Sequence, residues 1–300
     1  MTAAVGPSHK LARRSLTDQV SGYVLLAPSA VGILLFFTLP LICLAWLATQ
    51  RWDLIAAPQW VGVDNFQSVI TDPAFLHSLG VTAQLAVLIV PAEILIGIGL
   101  ALMLATGGSL RRVVRGIILL PWLVAPLVVG VIWRWIFSPS DGLLSVLTGH
   151  RVEWLVDPAL APIVVACVIV WSEAGYVALF FVAGLLTVPP ALIDAARIDG
   201  AGPLRTLWSI QLPLIRPVLV FVSVTGVVRV AAIYDQVFAL TGGGPAASTT
   251  TVSLWLYTTA FEAFDIGRAA AGSLVLLLLL GLVVLFQRAM YRVRGEHAPR

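Results

Sequence analysis

Apolar residues run along this chain in long unbroken blocks. Six of the blocks are long enough to cross a bilayer, at about residues 22–47, 80–106, 114–136, 160–186, 214–238 and 269–290. A hydrocarbon core about 30 Å thick takes roughly 20 residues of helix. Lipid offers no partner to a backbone N–H or C=O, so a spanning segment is either helix or closed barrel. Runs without two-residue alternation point to helix. The pattern predicts an all-α membrane protein: one six-helix unit over 22–290, with tails at 1–21 and 291–300. Pro28, Pro40, Pro91, Pro121, Pro126, Pro162 and Pro217 fall within or at the ends of five of the six spans. Each frees a carbonyl and predicts a bend.

The apolar pattern breaks over 187–213, between the fourth and fifth spans. Leu192, Ala195, Ala196 and Asp199 recur at helical spacing and predict one shared face of a short helix. Gly200 and Gly202 supply a break where positive φ is expected. Pro203 suits the first turn of a second short helix. Pro213 and Pro217 bound the entry to the fifth span. A simple connector needs only a few residues. The insert therefore predicts a docking element for a partner at one membrane face.

Charge sets the expected sidedness. Thirteen of the 18 Lys and Arg residues lie in the N-terminal tail, around the second-to-third and fourth-to-fifth connections, or after the sixth span. The positive-inside bias makes that side cytoplasmic, with both termini and the 187–213 insert on it. Lys10, Arg13 and Arg14 precede an apolar run too long for a signal peptide, so the run reads as a retained first span. Trp46, Trp52, Trp60, Trp133, Trp135 and Trp154 fit an interfacial aromatic belt.

Composition narrows the chemistry. The chain is 59% hydrophobic and 11% charged, with a mean hydropathy of +0.99, beyond what a soluble chain of 300 residues carries. Lys10 is the single lysine, so a phosphate-binding G-x-x-x-x-G-K-[ST] loop has no place here. Basic residues spread through separate loops do not form a nucleic-acid face. Cys43 and Cys167 sit in apolar runs and are expected as small buried hydrophobes, with neither zinc spacing nor a disulfide framework. His9, His77, His150 and His297 are scattered through the tail and loops, which speaks against a membrane-bound enzyme.

The segment IDAARIDGAGPLRTLWSIQLPLIRP resembles the EAA loop of permease subunits of binding-protein-dependent ABC importers. The family pattern has Glu-Ala-Ala, then a glycine, then I-x-L-P. Here stand Asp194-Ala195-Ala196, then Gly200, then Ile210, Leu212 and Pro213, with Asp in place of Glu. WVGVDNFQSVITDPAFLHSLGVT at 60–82 and YDQVFALTGGGPAASTTT at 234–251 resemble segments of the carbohydrate branch, of maltose, trehalose and glycerol-phosphate type. The resemblance spans about 22–290. It implies the type I importer permease fold, with Leu192, Asp194, Ala195, Ala196, Asp199, Gly200 and Ala201 in a coupling helix. It also implies a second permease, two ATP-binding subunits that hold the ATP and Mg, and an extracytoplasmic sugar-binding protein. No cofactor or metal is expected on this chain, which would itself be no enzyme, in a bacterial cytoplasmic membrane.

Charges inside spans are costly and mark cavities or partners. Glu93, Glu173 and Arg229 are such charges. Counting at 1.5 Å per residue in a core of about 30 Å places Glu173 and Arg229 roughly 10 Å apart in depth. Pairing them then requires a stretched arginine or shifted span ends. Trp171, Glu173, Tyr176, Arg229, Tyr234, Asp235 and Gln236 make a candidate sugar path, carboxylates and amides for hydroxyls and rings for C–H faces. The same polar groups also suit inter-helix contacts. Gly242, Gly243 and Gly244 before Pro245 are candidates for an external turn touching the delivery protein, or for a flexible loop. The alternative is an ion-gradient-driven transporter using Glu93 or Glu173 as proton carrier; it favours inverted repeats, and none is visible.

Overall fold

The computed structural model describes residues 16–104 and 109–295. Most of the expected tail 1–21, with Lys10, Arg13 and Arg14, lies outside those residues, as does the end of the tail 291–300.

The chain opens with α1 (Leu16–Ile33), a π-helical turn at Leu34–Thr38 and α2 (Leu39–Leu47). A small antiparallel ladder follows, β1 (Gln50–Arg51) with β2 (Gln59–Trp60), Gln50 opposite Trp60. Next come α3 (Asp64–Ile70), α4 (Pro73–Leu104), α5 (Ser109–Leu123), α6 (Pro126–Ile136), α7 (Leu143–Thr148) and α8 (Ala161–Leu185). The insert forms α9 (Pro190–Ile198), α10 (Pro203–Thr206), a π turn at Leu207–Gln211 and α11 (Leu212–Leu214). Then follow α12 (Arg216–Ala231), α13 (Asp235–Leu240), α14 (Val252–Tyr257), a π turn at Thr258–Glu262 and α15 (Ile266–Gly295).

Leu25–Leu47, Pro73–Leu104, Ala161–Leu185 and Ile266–Ala289 are each long and apolar enough to cross a bilayer. They match the first, second, fourth and sixth expected spans. The third and fifth are bent. Val113–Leu123 meets α6 at 90°, and Pro203–Leu214 meets α12 at 75°; counted as broken spans, they complete six. Proline explains the first bend. Ala125, just before Pro126, takes an extended ψ of 131°, as the residue before a proline must to avoid the ring.

The fifth span also ends earlier than the expected 238. α12 stops at Ala231, and α13 starts afresh at Asp235. Hydroxyls from the start of α14 take the carbonyls freed there: Ser253 Oγ donates to Ala231 O (2.7 Å) and Thr251 Oγ1 to Ile233 O (3.0 Å). A helix end inside an apolar region needs such partners.

α4 and α8 form the centre, with Leu85, Ile89, Val165, Val168 and Ile169 interlocked with Val230 and Val237. Glycines mark close crossings. A Cβ on Gly175 of α8 would lie 2.1 Å from the Ile118 carbonyl oxygen of α5, and one on Gly97 would lie 2.8 Å from Val177. Small residues let helix backbones approach in membranes. Cys43 and Cys167 depart from expectation, for both are exposed. Cys167 shares an outward stripe of α8 with Ile163 and Trp171, at four-residue spacing. That stripe lines an apolar cavity of about 670 Å³ beside α4 and α5.

The two ends of the bundle differ. At the Pro73 end of α4, Asn65 Nδ2 donates to the Ala48 (2.9 Å) and Gln50 (2.8 Å) carbonyls, and Arg268 pairs with Asp72. At the Leu104 end lies the insert: Leu102 borders a groove of about 320 Å³ with Ile193, Ala201 and Leu204. α4, about 48 Å long at 1.5 Å per residue, separates the two.

Candidate functional site

The intramembrane charges meet. Arg229 stands in the last turn of α12, where the helix dipole favours a cation. Its Nη2 lies 2.6 Å from Glu93 Oε2 on α4, and its Nη1 bonds Glu173 Oε2 on α8. Glu93 is 1% exposed, Glu173 19% and Arg229 30%. The expected 10 Å offset in depth does not hold, because it assumed straight spans from 160 and 214. The planar guanidinium presents a fork of donors and so serves two carboxylates at once. The trio, with formal charge −1, binds three helices together.

Around it is a cavity of about 210 Å³, lined among others by Pro126, Ile169, Tyr234, Asp235 and Gln236. Five of the seven expected path residues therefore gather in one place: Glu173, Arg229, Tyr234, Asp235 and Gln236. Gln236 is buried, and its Nε2 donates to Ser172 Oγ (3.3 Å), which ties α13 to α8. Tyr234 packs against Tyr257 (ring centroids 4.6 Å apart) and Phe238 (5.3 Å).

Trp171 and Tyr176 lie elsewhere. Trp171 is two residues from Glu173, about 200° around the helix, so it faces the apolar cavity and meets Trp133 edge-on at 5.2 Å. Tyr176 lies farther toward α9 and stacks on Trp122 at 4.6 Å, in a run that continues to Phe180 and Phe221. Glu93, noted in the sequence as an intramembrane charge but left out of the candidate path, belongs to the cavity. Its signal was a carboxylate two residues past Pro91 in an apolar run.

The glycine turn is held in place. Thr241 and Thr249 hydroxyls meet at 2.7 Å, Thr249 Oγ1 donates to Gly244 O (2.8 Å), and Thr250 Oγ1 to Gly243 O (3.0 Å). Thr82 of α4 accepts from Val252 N (2.9 Å) just beyond it.

At the other candidate site, α9 closes as the Gly200 break predicts. Gly200 has φ +77°. Ala201 N donates to Ala196 O (2.8 Å) and Gly200 N to Arg197 O (3.0 Å), the paired bonds of a left-handed helix end. Gly202 differs from expectation: it is extended at φ −71° and caps α10, with Pro203 in its first turn. The expected single face of α9 is divided. Ala196 turns inward and is buried, and Ile193 packs against the core, while Leu192, Ala195 and Asp199 face outward. Asp194 pairs with Arg197 at 3.2 Å in the open. Large apolar side chains stand out nearby: Ile198, Leu204 and Trp208 are each about two-thirds exposed or more. Sequence reasoning missed these three, although big hydrophobes in a polar insert were their signal.

Comparison with known proteins identifies the family. Residues 93–293 match the family described as binding-protein-dependent transport system inner membrane component. The chain is 35% identical over 283 residues to the sn-glycerol-3-phosphate transport system permease protein UgpA of Agrobacterium fabrum, covering 90% of this chain and 94% of that one. It is 32% identical over 271 residues to the trehalose/maltose transport system permease protein MalF of Thermococcus litoralis, covering 88% and 90%. Its fold resembles a chain of a bacterial alginate ABC transporter solved in complex with alginate pentasaccharide-bound periplasmic protein. That match has a TM-score of 0.80 at 23% identity and covers 94% of this chain and 98% of that one. The ion-gradient alternative is therefore set aside. The fold, the two bent spans and the extent of the match make this chain a member of the binding-protein-dependent transport family, an inner membrane component of such a system.

Proposed function

We propose that the chain is one permease half of an ATP-driven sugar importer. It forms the translocation path with a second permease and takes mechanical force through α9. The ATP and Mg are held by two partner ATPase subunits, and this chain performs no catalysis of its own. The α9 end of the bundle faces the cytoplasm, as the arginine distribution requires, and a sugar-binding protein delivers at the Pro73 end of α4. Relatives named for glycerol phosphate and for trehalose and maltose support a polyhydroxylated substrate.

One observation carries the coupling role: a short helix closed by Gly200 displays Leu192, Ala195 and Ile198 outward at the end of the bundle, with Leu204 of α10 exposed beside it. An apolar display in a polar insert calls for a protein partner. Coupling is assigned to Leu192, Asp194, Ala195, Ala196, Asp199, Gly200 and Ala201. The substrate path is assigned to Glu173, Arg229, Tyr234, Asp235 and Gln236, with Glu93 added. Trp171 and Tyr176 are left out of it.

The test is Gly200→Asp in the reconstituted complex. A Cβ at Gly200 meets nothing within 4 Å, so the change acts on the φ +77° closure and on partner contact. Uptake should fall and ATP hydrolysis should lose its response to the binding protein, with insertion into the membrane unchanged. Undiminished transport rejects the docking role.

A further inference from the structure

We infer that the substrate is an uncharged polyhydroxylated solute, and that the cavity between α4, α8, α12 and α13 turns anionic sugars away. The inference rests on the sugar-import reading above and names its charge class. Family membership does not supply that class, since relatives are named for a phosphate ester and the similar solved transporter for alginate, described as an acidic polysaccharide.

The charges lining the cavity are Glu93, Glu173 and Asp235 against Arg229. This side of the path is therefore formally negative. Its one cation is spoken for: each terminal guanidinium nitrogen of Arg229 already bonds a carboxylate. A phosphate or sugar carboxylate binds best to an open arginine fork, and here each prong already holds a carboxylate, so the single positive charge is outweighed.

Glu93 adds the second observation. Its side chain is 1% exposed, and its Oε1 has no hydrogen-bond partner among the described residues. A carboxylate oxygen only accepts, so it seeks a hydroxyl donor. Sugar hydroxyls of either class can donate to it, but the phosphate or carboxylate of an anionic sugar would set acceptor against acceptor and charge against like charge where water screens little. Tyr234, packed on Tyr257 and Phe238, offers a flat wall for the C–H face of a sugar ring.

The experiment uses the intact complex of both permeases and the ATPase subunits. Thermal shift without the binding protein reads the permease's own preference, and uptake into proteoliposomes with the binding protein reads transport. Maltose and trehalose are set against glycerol 3-phosphate and glucuronate. The native complex should favour a neutral sugar by at least tenfold. Glu93→Gln combined with Glu173→Gln removes both charges that offset the guanidinium and should narrow that ratio at least fivefold. Glu173→Gln alone, which keeps the Glu93 pair, should narrow it at least twofold and serves if the double variant does not assemble. Preference for an anion in the native complex overturns the inference, as does an unchanged ratio in an assembled variant. ATP-dependent uptake of an anionic sugar would leave the importer reading standing while removing this one. A complex that hydrolyses ATP yet moves no sugar of either kind overturns both.

Discussion

Arg229 Nη2 sits 2.6 Å from Glu93 Oε2, joining α12 to α4 across 136 residues of sequence. With Glu173 on the other prong, one guanidinium holds three helices at the wall of the polar cavity. Taking the cation away leaves two carboxylates without compensation in an apolar surround.

Arg229→Met is expected to destabilise the assembled complex by about 3 kcal/mol, the lower end of the cost of breaking a buried pair, because the arginine is partly exposed. Adding Glu93→Gln to that variant removes one of the two stranded charges, the more deeply buried one, and should restore about 1 kcal/mol or more. Thermal unfolding of the purified complex measures both. Native stability in the single variant would mean that the trio contributes nothing to folding.

Gly175→Ala places a methyl group 2.1 Å from the Ile118 carbonyl oxygen, a rigid backbone atom. α5 must move off α8, at a cost of about 1–3 kcal/mol. Gly99→Ala, where a Cβ meets nothing within 4 Å, should be neutral or slightly stabilising because alanine favours helix. Equal melting temperatures for the two variants would contradict the close crossing.

Thr82→Val removes the hydroxyl that accepts from Val252 N. A buried N–H left unpaired costs about 1–3 kcal/mol. Hydrogen exchange over 250–256 should accelerate in the variant while exchange in the centre of α8 stays slow. Uniform acceleration along the chain would point to global loosening instead.

Asp194→Asn removes an ion pair whose side chains are 71% and 64% exposed. Exposed pairs contribute about 0–1 kcal/mol, so melting should stay within ~0.5 kcal/mol of native. Transport is expected to fall severalfold all the same, since the carboxylate stands exposed in the middle of α9, the proposed coupling helix. Native uptake rates in this variant would remove Asp194 from the proposed docking surface.

Much of this protein was legible along one dimension. Apolar runs longer than a bilayer core report spans directly, because lipid leaves the backbone no alternative to helix. Gly200 likewise announced its helix end, since few other residues take a positive φ without strain. Orientation about each helix was harder to read. Trp171 and Glu173 are neighbours in sequence and face different cavities, and Ala195 and Ala196 divide between surface and core. Those outcomes depend on which helix lies alongside.

Taken alone, the amino-acid sequence determined the membrane class, the approximate spans, the insert and its glycine closure, all of them local consequences of hydrophobicity and backbone sterics. Only the tertiary structure decided how sharply the third and fifth spans bend, that α12 ends at Ala231, and that Glu93, Glu173 and Arg229 share one site. The early end of α12 depends on donors farther along the chain, Ser253 and Thr251, that take up its freed carbonyls. Buried charges find one another only when separate helices pack, and no local pattern encodes that meeting.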